Sequence, residues 1–149
     1  MCGIVGHLGP QNSVETVLEG LKRLEYRGYD SAGVSFIDEH NELQVYKKSG
    51  RLENLQEVLK DKNLVARSCI GHTRWATHGE VNDNNSHPHS TDKISMVHNG
   101  IIENASDLKK ELIEKGISFH SDTDSEVFIG LLTYETSRGK EFKQAVIDS

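Results

Sequence analysis

The stretch "MCGIVGHLGP" (residues 1–10) sets a thiol at the very front of an apolar run. Residues 2–8 have the make-up of a buried first strand. Chain ends fray unless something ties them down, so Cys2 sits where a purely structural residue gains little. A free cysteine is a weak nucleophile until a base or a lowered pKa supplies thiolate. Once Met1 is removed, Cys2 carries its own base, an α-amino group with an ordinary pKa of about 7.7–8.0. Nucleophile and base then share one residue, as in the N-terminal threonine variants of nucleophilic catalysis. The alternative for the same two letters is a small hydrophobe packed in a strand.

Outward from this strand, Asn12 offers an N-cap with Glu15 three residues on, and Val14, Val17, Leu18, Leu21 and Leu24 follow at helical spacing as far as Gly28. "AGVSFID" and "LQVYKKS" read as two strands joined by the polar turn "EHNE". A short helix is expected across "LENLQEVLK" and a strand at "SCIGHT", with a polar loop from Trp75 to Asp92. "ISMVHNGII" predicts strand, turn and strand. Two more helices are expected, one from Asn104 to Gly116 and one from "SDTDSEV" to Gly139, before a final helical run in "EFKQAVIDS". Hairpin-like strand pairs mixed with helices give an α+β class with a largely antiparallel sheet.

Composition narrows the function. The chain has 149 residues, 35% hydrophobic and 27% charged, as suits one soluble globular domain or part of a larger one. A net charge of −6 argues against nucleic acid or an anionic membrane as partner. No apolar run reaches membrane-spanning length, and the N-terminus lacks a signal peptide's basic segment and apolar core. Two distant cysteines make no disulfide framework, so a reducing, cytoplasmic setting is expected.

Three further stretches invite chemistry. In "IGHTRWATHGE" (70–80), Thr73, Arg74, Trp75, Thr77 and His78 crowd the end of a strand, and a planar arginine fork suits a carboxylate. A surface salt bridge would use Arg74 as well. In "MVHNGIIEN" (96–104), Asn-Gly between apolar runs signals a type I′ hairpin, whereas the Asn99 amide and Gly100 N–H could instead face an oxyanion. In "SDTDSEV" (121–127), an acidic residue ahead of a helix is an N-cap, or holds an α-ammonium. Five of the eight histidines lie between His72 and His98, but without HExxH or CxxC spacing, so no metal site is expected.

Taken in order, "CGIVG", "LEYRGYDSAG", "GHTRWATHGE", "HPH", "VHNGIIEN" and "SDTDSE" resemble the class II glutamine amidotransferase domain, an N-terminal-nucleophile hydrolase fold built as an αββα sandwich. Within that class, "EYRGYDSAG" and "HTRWATHGE" look most like the glutaminase domain of the glucosamine-6-phosphate synthase family. The PRPP amidotransferases are the nearest alternative, and a non-catalytic glutamine- or partner-binding fragment is another. The resemblance implies Cys2 as nucleophile, Asn99 and Gly100 as oxyanion hole, Arg74 on the glutamine α-carboxylate and Asp124 on its α-ammonium. It places Trp75, Thr77 and His78 at the same pocket, with Arg27 and Gly28 beside the nucleophile. It implies glutamine as substrate, no cofactor, and a homo-oligomeric full-length enzyme in which fructose 6-phosphate binds to isomerase domains outside this chain. Residues 1–149 are then expected to be the N-terminal part of the domain, with the sandwich incomplete and one sheet face uncovered.

Overall fold

In the computed structural model, which describes residues 1–76 and 79–149, the first strand β1 (Gly3–Leu8) leads into helix α1 (Ser13–Leu24). The Asn12 side chain accepts from the Val14 N–H at 3.3 Å, the cap its sequence position predicts. A 3₁₀ turn (Glu25–Arg27) carries the chain to β2 (Ser31–Ile37), which pairs with β3 (Leu43–Ser49) across the turn at Asn41. Asp38 closes that turn by accepting from the His40 and Glu42 N–H groups. Helix α2 (Leu52–Leu59) and β4 (Ser68–Arg74) follow.

These strands form one antiparallel sheet in the order β1-β4-β2-β3. β4 thus inserts between the first strand and the hairpin, with Gly3 opposite Thr73 and Ser31 opposite Arg74. The start of β1 and the end of β4 therefore meet at one rim of the sheet. Strand pleating sends alternate residues to opposite faces. Ala32, Val34, Phe36 and Cys69 face a core completed by Val14, Val17 and Leu21 of α1 and Leu52, Leu55 and Leu59 of α2. Each large side chain buried there contributes about 1.5–3 kcal/mol. Gly71 lets α1 lie close, since a Cβ there would stand 2.5 Å from Val17 Cγ1.

The other face carries Gly33, His72 and Arg74 and meets the loop before β5 (His89–Ser90), which pairs with β6 (Ser95–Met96). At Gly33 a Cβ would overlap the His87 carbonyl oxygen, so the loop rests directly on backbone. Asp83 holds the loop to β3 through Lys48 Nζ and the Ser49 N–H, at 2.6 and 2.7 Å. Nearer β1 the same face is open, with Ile4 44% and Leu8 83% exposed.

Helices α3 (Ala105–Glu114), α4 (Asp124–Ser137) and α5 (Phe142–Asp148) complete the described structure. Leu112 and Val127 anchor a second core with Leu108, Ile117 and Phe119. Gly116 and Gly139 adopt positive φ beyond the ends of α3 and α4, as helix-stopping glycines do.

One expectation fails. The segment after β6 does not form a hairpin, and neither Asn99 nor Gly100 has the positive φ that a type I′ turn requires. Long-range bonds take the place of a strand ladder. The His98 N–H donates to His87, its C=O accepts from His72, and the Ile102 N–H donates to Asp124.

Candidate active site

Cys2, half-buried, lies just ahead of β1 at the rim where β4 ends. Its Sγ accepts a hydrogen bond from the Trp75 N–H at 3.4 Å. Its carbonyl accepts from Arg27 Nε at 3.3 Å, and the same guanidinium reaches Met1 Sδ at 3.7 Å. With Met1 in place, the Cys2 nitrogen is a peptide amide and has no lone pair available as a base.

The floor beneath the thiol depends on Gly28. A Cβ there would lie 2.7–2.9 Å from Arg74 C, Arg74 O and Trp75 N, so only glycine lets this turn abut the Arg74–Trp75 peptide. Two bonds from Asp30 continue the seam: its N–H donates to Arg74 O at 3.0 Å, and its Oδ2 accepts from the Ala76 N–H at 2.8 Å. Arg74 itself is 5% exposed, and its Nη1 donates to Glu80 O at 3.2 Å. Burial draws its pKa down, while Cys2 and Asp30 oppose that shift. The guanidinium remains a cation. Trp75 packs edge-on against Tyr29 and is 42% exposed at the pocket mouth. Thr77 and His78 lie outside the described residues.

Across the pocket, Asp124 is the first residue of α4, where the helix dipole favours a carboxylate. Its Oδ2 accepts from the Ile102 N–H at 2.7 Å and its Oδ1 from the Ser125 hydroxyl at 3.3 Å. Asn99 and Gly100 lie exposed between His98 and Ile102, and the Asn99 amide and Gly100 N–H make no hydrogen bond among the described residues. Two donors of residues that line the pocket are therefore left without a partner among the described residues.

Cys2, Arg74, Trp75, Asn99, Gly100 and Asp124 line one pocket, with His72, His87, His98 and Ser125 beneath them. Arg27 and Gly28 support it from behind Cys2 rather than lining it. A free thiol, two donors without a partner among the described residues, a buried cation and a carboxylate on the far wall match a small zwitterionic amide. Opposite charges at its α-carbon would fix which end meets the thiol.

Sequence reasoning gave His78 a place at the pocket but weighed His72, His87, His89 and His98 only as metal candidates; the structure uses these four as packing and hydrogen-bonding parts. The His72 and His87 rings stack at 4.3 Å, and His89 meets His87 edge-on at 4.5 Å. His89 Nε2 bonds to Thr123 Oγ1 at 2.7 Å, just before α4. Burial holds the pKa of His72 and of His89 down at about 4, and that of His87 lower still. Asn85, 1% exposed, was also missed. Its side chain exchanges bonds with Glu80 O and with the N–H and carboxylate of Asp122, tying the loop to the start of α4. For His72 a signal existed, since in a strand it must share a face with Arg74 two residues on.

Residues 72–146, half of the chain, match the family model described as a glutamine amidotransferase domain. The chain is 53% identical over 133 residues to a glutamine–fructose-6-phosphate aminotransferase (isomerizing) of Helicobacter pylori, covering 89% of this chain and 22% of that protein. It is 49% identical over 148 residues to the protein of the same description from Thermococcus kodakarensis, covering 98% and 24%. The chain thus spans about a quarter of the length of the curated relatives it matches. Among solved structures, glutamine phosphoribosylpyrophosphate amidotransferase from B. subtilis superposes with a TM-score of 0.75 at 27% identity, over 97% of this chain and 31% of that one. A structure described as the allosteric regulatory enzyme of purine biosynthesis gives 0.82 at 26% identity, over 98% and 32%. The α+β architecture is accordingly that of the N-terminal-nucleophile amidotransferases. Together with the family match over residues 72–146, this places the chain in the glutamine amidotransferase domain family.

Proposed function

We propose that this chain hydrolyses the side-chain amide of glutamine through a thioester on Cys2, with Met1 removed. The supporting observation is the juxtaposition of the Cys2 thiol, the unspent donors of Asn99 and Gly100, and the opposed charges of Arg74 and Asp124 around one pocket. The freed α-amine of Cys2 takes the thiol proton, and sulfur attacks the amide carbon. The carbonyl oxygen becomes O⁻ facing the Asn99 amide and Gly100 N–H, each worth about 3 kcal/mol in an oxyanion hole. The ammonium formed on the Cys2 nitrogen returns its proton to the departing amide nitrogen, and ammonia leaves beside Trp75. Water, deprotonated by the same amine, then splits the thioester to glutamate. Arg74 holds the α-carboxylate and Asp124 the α-ammonium, with Thr77 and His78 completing that end. Arg27 holds the Cys2 carbonyl, and Gly28 gives room for the Trp75 N–H to reach the sulfur. No cofactor takes part.

In the full-length protein the ammonia serves amination and isomerisation of fructose 6-phosphate. Identities of 49–53% to aminotransferases of that description favour this acceptor over phosphoribosyl pyrophosphate, whose enzyme stands at 27%. Residues 1–149 form the N-terminal part of the amidotransferase domain, and the acceptor domains lie elsewhere in a homo-oligomeric, cytoplasmic enzyme. Among the described residues no helix is long and apolar enough to cross a membrane. The test is labelling by an electrophilic glutamine analogue, read by peptide mass, beside a glutaminase assay of Met1-processed protein and its Cys2→Ala variant. Label on the Cys2 sulfur and loss of turnover in Cys2→Ala are expected. Label elsewhere, or turnover that survives Cys2→Ala, overturns the assignment.

A further inference from the structure

The two stacked histidines beneath the pocket grip a single residue. His98 O can only accept, so His72, 3.2 Å away, donates from Nε2–H. His72 Nδ1 is then left as a bare lone pair, and that atom is buried without a partner among the described residues. The His98 N–H can only donate, so His87 Nδ1, 3.4 Å away, is unprotonated and the ring carries its hydrogen on Nε2. Both peptide groups of His98 are thus held by neutral imidazoles of one fixed tautomer. The side chain of His98 adds a third anchor. Ser125 gives its only proton to Asp124 Oδ1, so it accepts from His98 Nδ1–H at 3.0 Å. Four residues on, the Ile102 N–H is fixed to Asp124 Oδ2. Asn99 and Gly100 hang between these anchors.

We propose that His72 and His87 are positioning residues for the oxyanion hole: as a stacked neutral pair they clamp the C=O and N–H of His98 and thereby orient the peptide groups that present Asn99 and Gly100. The C=O held by His72 belongs to the same peptide plane as the Asn99 N–H, so rotating that plane swings the Asn99 side chain and the Gly100 N–H together. Both rings are nearly fully buried, at 1% and 5% exposure. A polar ring with an unpaired nitrogen is an expensive choice for a place where leucine would pack. Its polar end therefore has work to do, and the only bonds these two rings make among the described residues go to His98.

This inference rests on the oxyanion role given to Asn99 and Gly100, and two readouts separate it from that role. The first is independent of turnover. ¹⁵N shifts of the imidazole nitrogens in the Met1-processed full chain should show His72 and His87 as neutral Nε2–H tautomers at pH 7.5, with His98 protonated on Nδ1. A charged ring or an Nδ1–H tautomer at His72 or His87 overturns the clamp even if the enzyme is active. The second is kinetic, normalised to sites titrated with the electrophilic glutamine analogue so that misfolded protein is not counted. An oxyanion donor acts in the transition state, so His72→Leu should lower kcat about 10–100-fold with KM for glutamine within about twofold. His72→Gln, whose amide restores a donor at Nε2, should recover most of the loss. His87→Asn, whose oxygen replaces Nδ1 as acceptor, should likewise outperform His87→Leu. Equal losses in the Leu and amide variants, or unchanged kcat per titrated site, overturn the proposal. A Met1-processed chain without substitutions that neither labels at Cys2 nor releases ammonia would instead sink the amidotransferase reading, leaving the tautomer measurement to decide the clamp.

Discussion

Acid should destabilise this protein well before its carboxylates titrate, and the buried histidines set the size of the effect. His72 and His89 are held at about 4 by burial, and His87 lower still, whereas each ring titrates near 6.5 when exposed. Arg74 opposes protonation of all three, and the neighbouring histidines add to it. Lys47 also opposes it at His89, and Glu126 alone pulls the other way there. Between pH 7.5 and 5.5 the unfolded chain therefore takes up protons that the folded chain refuses. The stabilisation is intact above pH 6.5 and is lost progressively as pH falls toward 4. Because the native rings stay neutral across that interval, uptake by the unfolded chain fixes the magnitude, about 1 kcal/mol or a little more per ring at pH 5.5 and about 4 kcal/mol for three. For a chain of this length that corresponds to a Tm lower by about 8–16 °C. Asp83, brought down to about 2 by Lys48 and Ser49, adds to the loss only below its ordinary 3.8 and so stays outside the window. Urea titrations at pH 7.5, 6.5 and 5.5 measure the slope. His89→Gln, which can keep the bond to Thr123, should flatten it by about 1 kcal/mol across the same interval. Equal stability at pH 7.5 and 5.5, or a His89→Gln slope identical to that of the parent chain, would refute the argument.

Two further outcomes follow from packing. Gly28→Ala should cost about 1–3 kcal/mol in stability, since its Cβ meets backbone atoms of Arg74 and Trp75, and should depress glutaminase turnover by displacing the N–H that faces the Cys2 sulfur; calorimetry with a turnover assay checks both. Cys69, buried in the sheet core with its pKa pushed up to about 12, should resist a thiol reagent that labels Cys2 in native protein, and mass spectrometry should count one adduct folded and two in denaturant.

The sequence made most of the scaffold legible because its signals there are local. The Asn12 cap, the spacing of Val14, Val17 and Leu21, and the polar turn at Asp38–Glu42 each specify structure within a few residues. The pocket lining was legible through motif likeness, which gathered Cys2, Arg74, Asn99 and Asp124 before any geometry was known. What stayed hidden depends on partners distant in sequence. Asn99-Gly100 has the letters of a hairpin, but His72, His87 and Asp124, from 11 to 26 residues away from the groups they bind, claim the backbone a ladder would need. The same separation concealed the histidine clamp and the bridge at Asn85, for neither has a periodic signature.

β4 has a consequence for folding as well as for chemistry. Cys69 and Gly71 look toward oil, while His72 and Arg74 look toward the pocket. A slip of one residue in its pairing with β1 and β2 would drive a guanidinium into hydrocarbon and lift a core residue out to face solute. Such a misaligned sheet pays twice, so the residues that line the pocket also proofread the assembly of the strand that carries them.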